Sequence, residues 1–119
     1  MIMRNRKDAL PFTTLDDSTV REIIHPSNTP GACMSLAEAE ISPGSTTKNH
    51  LHKRSAEIYY ILHGRGIIHL DGEESIVAAN DAIYIPPGTE HFIENTGKDD
   101  LVIICCSTPP YSDNDTEIL

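Results

Sequence analysis

The sequence contains no tryptophan, only two phenylalanines and only four tyrosines in 119 residues. Any core must therefore rest on Ile, Leu, Val and Ala. Basic residues are also scarce, with nine Lys and Arg against eighteen Asp and Glu and a net charge of −9. Binding to a phosphate backbone needs clustered Lys and Arg, so nucleic acid is not an expected partner. A polybasic membrane surface is equally disfavoured. The longest apolar run, Leu101 to Cys106, is six residues, far short of the roughly 20 of a membrane-spanning helix. No apolar stretch follows the basic opening MIMRNRKDALPF, so no secretory leader is expected. Cysteine is limited to Cys33, Cys105 and Cys106, an odd number without C-x-x-C spacing. That pattern excludes a disulfide framework and fits a reduced, cytoplasmic compartment.

What is present points to one β-rich domain, since single domains most often hold roughly 100–150 residues. Residues 1–17 are mixed and polar and read as a loosely held arm. Residues 108–119 open on Pro-Pro and turn acidic, and read as an irregular tail. Between them, over 18–107, lie short β-branched or aromatic segments: 20–25, 57–63, 66–71, 82–86 and 101–106. Turn signals separate these segments, among them Pro43-Gly44, Asp71-Gly72 and Pro86-Pro87-Gly88. Asp71-Gly72 suits a type I′ hairpin. The Ala- and Glu-rich run at 35–41 is read as a strand, because Pro43-Gly44 would cut a helix very short. Many short strands in succession predict an all-β sandwich or barrel.

The histidines carry the chemistry. A lone histidine in a strand is most often a packing or surface residue, but His50 and His52 stand two apart on KNHLHK. In a strand both imidazoles leave the same face. Glu57 follows after a polar stretch able to turn, so a returning strand can bring it opposite the pair. His91 follows the rigid Pro86-Pro87-Gly88 turn. Three neutral imidazoles and a carboxylate would make a mixed nitrogen and oxygen site for a first-row divalent metal.

These residues stand in a pattern that resembles the cupin family. Residues 44–64 match G-x5-H-x-H-x4-E-x6-G at every fixed position, through Gly44, His50, His52, Glu57 and Gly64. Residues 80–95 match G-x5-P-x-G-x2-H-x3-N through Pro86, Gly88, His91 and Asn95, with Asn80 in place of the first glycine. Asn tolerates the left-handed conformation nearly as Gly does. At roughly 5–7% per residue type, coincidence across these positions is on the order of 10⁻¹¹. The likeness extends over about residues 20–107.

The resemblance implies a double-stranded β-helix, a jelly-roll-like barrel, with one divalent first-row metal ion (Zn, Mn, Fe, Ni or Co). Its ligands would be His50, His52, Glu57 and His91. It also implies a homodimer, in which the arm at 1–17 has a use. Strand parity adds two candidate catalytic residues. Tyr59, two from Glu57, would offer a phenol to a ligand, and Lys48, two before His50, would point into the barrel mouth. Cys105 and Cys106 must face opposite ways, and Tyr111 would anchor the tail across an opening. The expected function is a metal-dependent enzyme for a small oxygen-rich molecule: a sugar phosphate, a hydroxy or keto acid, or a diketone. Isomerase, dioxygenase, decarboxylase and lyase chemistry all fit such a site, and short chains of this kind are similar to mannose-6-phosphate isomerase-like cupins. The alternative is a non-catalytic module binding a small ligand or metal.

Overall fold

A computed structural model describes residues 1–119, and they form two facing antiparallel sheets. The strands are β1 (Phe12–Thr13), β2 (Thr19–Ile24), β3 (Ser35–Ile41), β4 (His50–His52), β5 (Ala56–His63), β6 (Arg65–Leu70), β7 (Glu73–Ala78), β8 (Ala82–Ile85), β9 (His91–Asn95), β10 (Leu101–Thr108) and β11 (Thr116–Ile118). One sheet has the order β1-β2-β3-β10-β5-β8, the other β11-β4-β9-β6-β7. This is the all-β cupin barrel that the motifs implied. The remaining regular structure is two 3₁₀ turns, and no helix is long and apolar enough to cross a membrane.

Alternation builds the interior. Along β5 the inward residues run Glu57, Tyr59, Ile61, and opposite them on β10 stand Ser107, Cys105, Ile103. The inward residues of β9 are His91, Ile93 and Asn95. Each strand thus grades from a polar end to an apolar centre, where Ile61, Ile85, Ile93, Leu101 and Ile103 are fully buried. A side chain of this kind contributes about 1.5–3 kcal/mol when buried, so these few residues compensate for the missing aromatics. Cys105 lies on the inward face and Cys106 on the outward one, paired with Ile58. The outward face of β5 is also apolar: Ile58, Tyr60 and Leu62 are exposed, as is Tyr84 on β8.

The hairpin between β6 and β7 has Asp71 at φ 49° and Gly72 at φ 81°, the two positive values that a type I′ turn requires. Asn80, standing where the motif has glycine, adopts φ 77°, so its short amide side chain accepts the left-handed backbone. The motif residue Asn95 is buried and donates to Ile41 O and Asp99 O, both at 2.8 Å, fastening two loops. The strand β7, second arm of the hairpin expected at Asp71-Gly72, is an edge strand opening on Glu73-Glu74-Ser75 with little burial.

Both termini are more ordered than their composition suggests. The arm forms a 3₁₀ turn at Arg6–Asp8, closed by Asn5 and Asp8. Arg6 pairs with Glu38 at 2.8 Å, Arg4 donates to Ile23 O, and Arg21 donates to Ala9 O. It is not a loose arm but a segment laid on its own sheet. The tail is not irregular either: a 3₁₀ turn at Asp113–Asp115 leads into β11, which pairs with β4. Asp115 is buried and accepts from the amides of Arg54 and Ser55 at 2.9 and 3.0 Å. These ties join side chains to distant backbone, and no local periodicity announces them.

Candidate metal centre

His50 and His52 enter the barrel from β4, Glu57 from β5 and His91 from β9, where His91 is the direct cross-strand partner of His50. All four are buried, and one ligand atom from each lies within 4.8 Å of the others. The turn at 53–55 reverses the chain as the sequence reading required, and Asp115 holds it through two backbone amides.

The hydrogen bonds orient the rings. His50 Nδ1 donates to Lys48 O at 2.8 Å, and His91 Nδ1 donates to Thr89 O at 2.9 Å. A carbonyl can only accept, so in each neutral ring the proton sits on Nδ1 and the Nε2 lone pair faces inward. His52 Nδ1 lies 3.0 Å from Thr116 Oγ1, whose own proton goes to Ser112 O at 2.9 Å. Thr116 therefore accepts, and His52 joins the same tautomer. Such partners are what fixes imidazoles for metal binding.

Glu57 faces these lone pairs. Its Oε1 is 2.7 Å from His52 Nε2 and 3.3 Å from His91 Nε2, while Ser107 donates to Oε2 at 3.4 Å. Yet Glu57 Oε1 and His91 Nε2 are buried without a hydrogen-bond partner. Two acceptors this close repel unless a proton or a cation lies between them. Burial alone would raise the Glu57 carboxyl, but when His52 and His91 are protonated on Nε2 their hydrogen bonds and charge outweigh it and hold it at about 2, so in the metal-free cluster protons take the place a cation would hold. Burial would lower His52, and Glu57 reverses that and raises it. Burial and the neighbouring His91 lower His50. The donor set of three nitrogens and one carboxylate oxygen, with two orphaned atoms, fits a divalent ion.

Around this cluster the barrel holds a cavity of about 50 Å³ that opens to solvent. Tyr59 lies on its wall, with its ring 5.9 Å from that of His91. Burial, then the Glu57 charge, pushes its phenol well above its ordinary value, so it stays protonated. Burial does the same to the Cys105 thiol. Lys48 does not point into the mouth. Its ammonium is exposed and 3.6 Å from Asp17, because β4 begins only at His50 and the parity argument does not reach back to residue 48. Of the remaining histidines, His63 is exposed, His69 stacks on Phe92, and His25 holds Tyr111 O at 2.8 Å.

Asp16 and Glu22 at the site went unread in the sequence, whereas Tyr111 was expected to close an opening and does line the pocket. Asp16, in the turn between β1 and β2, places Oδ2 3.6 Å from His50 Nε2. Tyr111 brings its ring 5.7 Å from that of His52, and Glu22 lines the same pocket from β2. The run Thr14–Ser18 does signal a tight turn, but nothing local says what it faces.

Known proteins resemble this chain in sequence and in fold. A family model for the cupin domain matches residues 37–107. An uncharacterized protein of Methanocaldococcus jannaschii is 54% identical over 109 residues, covering 92% of this chain and 87% of its own. The oxalate-binding protein of Thermotoga maritima is 42% identical over 66 residues, and the match spans 56% of this chain and 54% of that protein. Among solved structures, a predicted oxalate decarboxylase from Thermotoga maritima superposes with a TM-score of 0.79 at 24% identity, covering 91% of this chain and 99% of that one.

Proposed function

The chain belongs to the cupin family, and from that premise we propose that it is a metal-dependent enzyme acting on a small, oxygen-rich molecule held in the barrel. The observation that carries this reading is the convergence of three inward Nε2 lone pairs on the unpartnered Glu57 Oε1. His50, His52, Glu57 and His91 would hold the ion. When bound, a divalent ion supplies a Lewis acid that polarises a carbonyl, hydroxyl or enolate oxygen.

The chain's own residues supply the rest. Tyr59, kept protonated, donates a hydrogen bond to a ligand oxygen. Burial raises the Glu22 carboxyl above its ordinary value. Ala37, Ala39, Ile41, Ile93 and Ile103 exclude water from the interior wall. Sugar phosphates, hydroxy or keto acids and diketones are the classes that such a site serves, by isomerisation, oxygenation, decarboxylation or elimination. The name of the oxalate-binding relative favours a second reading, a binding module without turnover. Product formation on a panel of these compounds separates the two.

Metal analysis of protein purified without chelator or histidine tag tests the site. About one equivalent of a first-row metal is expected. Bound imidazoles must be neutral, so protons compete with the ion, and affinity should fall as pH drops below roughly 6.5. Affinity that stays flat to about pH 4.5 would remove the histidines from the ligand set.

A homodimer completes the proposal. The apolar outward residues Ile58, Tyr60, Leu62 and Tyr84 offer a surface for a second copy. Sedimentation at tens of micromolar should give a dimer, and Ile58→Glu should shift it toward monomer. A wild-type monomer under those conditions refutes this part.

A further inference from the structure

We propose that this pocket selects uncharged oxygen ligands, such as hydroxyketones, diketones and polyols, over carboxylates and sugar phosphates, because its walls carry three carboxylates and no lysine or arginine. The inference rests on the metal reading above and narrows its substrate class.

Three carboxylates, Asp16, Glu22 and Glu57, line the pocket, and no lysine or arginine does. The bases nearest in sequence, Lys48 and Arg54, do not line it and pair with other carboxylates. Lys48 sits beside Asp17, and the Arg54 side chain is 82% exposed against Asp115. A divalent ion balances two carboxylates and leaves no surplus positive charge for an anion to meet. Glu22 adds a third acid, with Oε2 buried and without a hydrogen-bond partner.

Asp16 is held in place. Its Oδ1 accepts from Thr14 Oγ1, from Ser18 N at 3.1 Å and from Ser18 Oγ at 2.7 Å, which leaves Oδ2 directed at the cluster. A carboxylate fixed by three donors does not swing aside to admit a second negative group. Apart from the histidine ligands and the Cys105 thiol, the other polar groups on the wall are neutral hydroxyls, among them those of Thr14, Ser18, Ser35, Tyr59, Ser107 and Tyr111. Hydroxyls both donate and accept, which suits alcohol and carbonyl oxygens.

The test compares dihydroxyacetone with dihydroxyacetone phosphate, which present the same hydroxyketone to the ion and differ in a remote dianion. Both are titrated into Mn²⁺-loaded protein and read by water-proton relaxation. The neutral compound should bind at least about tenfold more tightly. Asp16→Asn and Glu22→Gln should each narrow the ratio severalfold by improving phosphate binding, with dihydroxyacetone little changed. Tighter binding of the phosphate by the wild type, binding of neither compound, or an unchanged ratio in both variants overturns the proposal. Failure to load Mn²⁺ at all is a separate result, which counts against the metal site itself.

Discussion

A Glu57→Gln protein is expected to lose metal affinity by about two orders of magnitude or more while keeping its fold. Replacing residues that merely hold a ligand in place costs 10–100-fold, and Glu57 would be a ligand itself. The substitution removes the charge that offsets part of the ion. It also adds an amide N–H, which can donate to the lone pair on His52 or His91 Nε2, 2.7 and 3.3 Å from the present Oε1. The metal-free cluster therefore gains a partner as the metal loses one. Competition dialysis gives the affinity, and circular dichroism checks the fold. Tyr59→Phe is the contrast. Its phenol is too weak an acid to ionise in this buried setting, so metal content should stay at the wild-type level and only ligand affinity or rate should change. Metal retained in Glu57→Gln and lost in Tyr59→Phe would reverse the two roles and leave a three-histidine site with a free carboxylate.

The largest effect on stability is expected at Gly66. A Cβ built there would stand 2.2 Å from Glu94 O and 3.2 Å from Leu101 Cδ2. Gly66 pairs with Asn95 across β6 and β9, so the obstacle is backbone inside a sheet and cannot rotate away. Overpacking commonly costs 1–3 kcal/mol, and a backbone obstacle places Gly66→Ala at about 3 kcal/mol or above. For a chain of this size that lowers the melting temperature by about 10 °C or more. Gly72→Ala serves as the control. Its site has φ 81° with nothing within 4 Å, so it should cost only about 1–2 kcal/mol of left-handed strain. Thermal unfolding measures both. A Gly66→Ala protein as stable as the wild type would mean that β6 and β9 do not approach so closely.

The sequence was legible wherever the relevant contacts are local or fixed by parity. Two-residue spacing put His50 and His52 on one face, and it placed Glu57, Tyr59 and Ile61 together inside β5. It misled for Lys48, where the strand it assumed had not yet begun. The terminal segments were misjudged because their order comes from Arg6 on Glu38 and Asp115 on the amides of Arg54 and Ser55. Contacts such as these, between residues roughly thirty to sixty positions apart, leave no mark on local composition.

By itself, then, the sequence determined the strand alternation, the positive-φ turns and the spacing of the four ligand candidates. Each follows from backbone stereochemistry acting over a few residues. Only the tertiary structure decided the charge and shape of the pocket. Asp16 and Glu22 lie far in the chain from the ligand candidates and from Tyr111, and β1, β2 and the tail bring them to the same opening. Whether a carboxylate faces the histidine cluster or the solvent depends on which strands pair across the barrel. That pairing is set by the total burial of both sheets rather than by any segment alone.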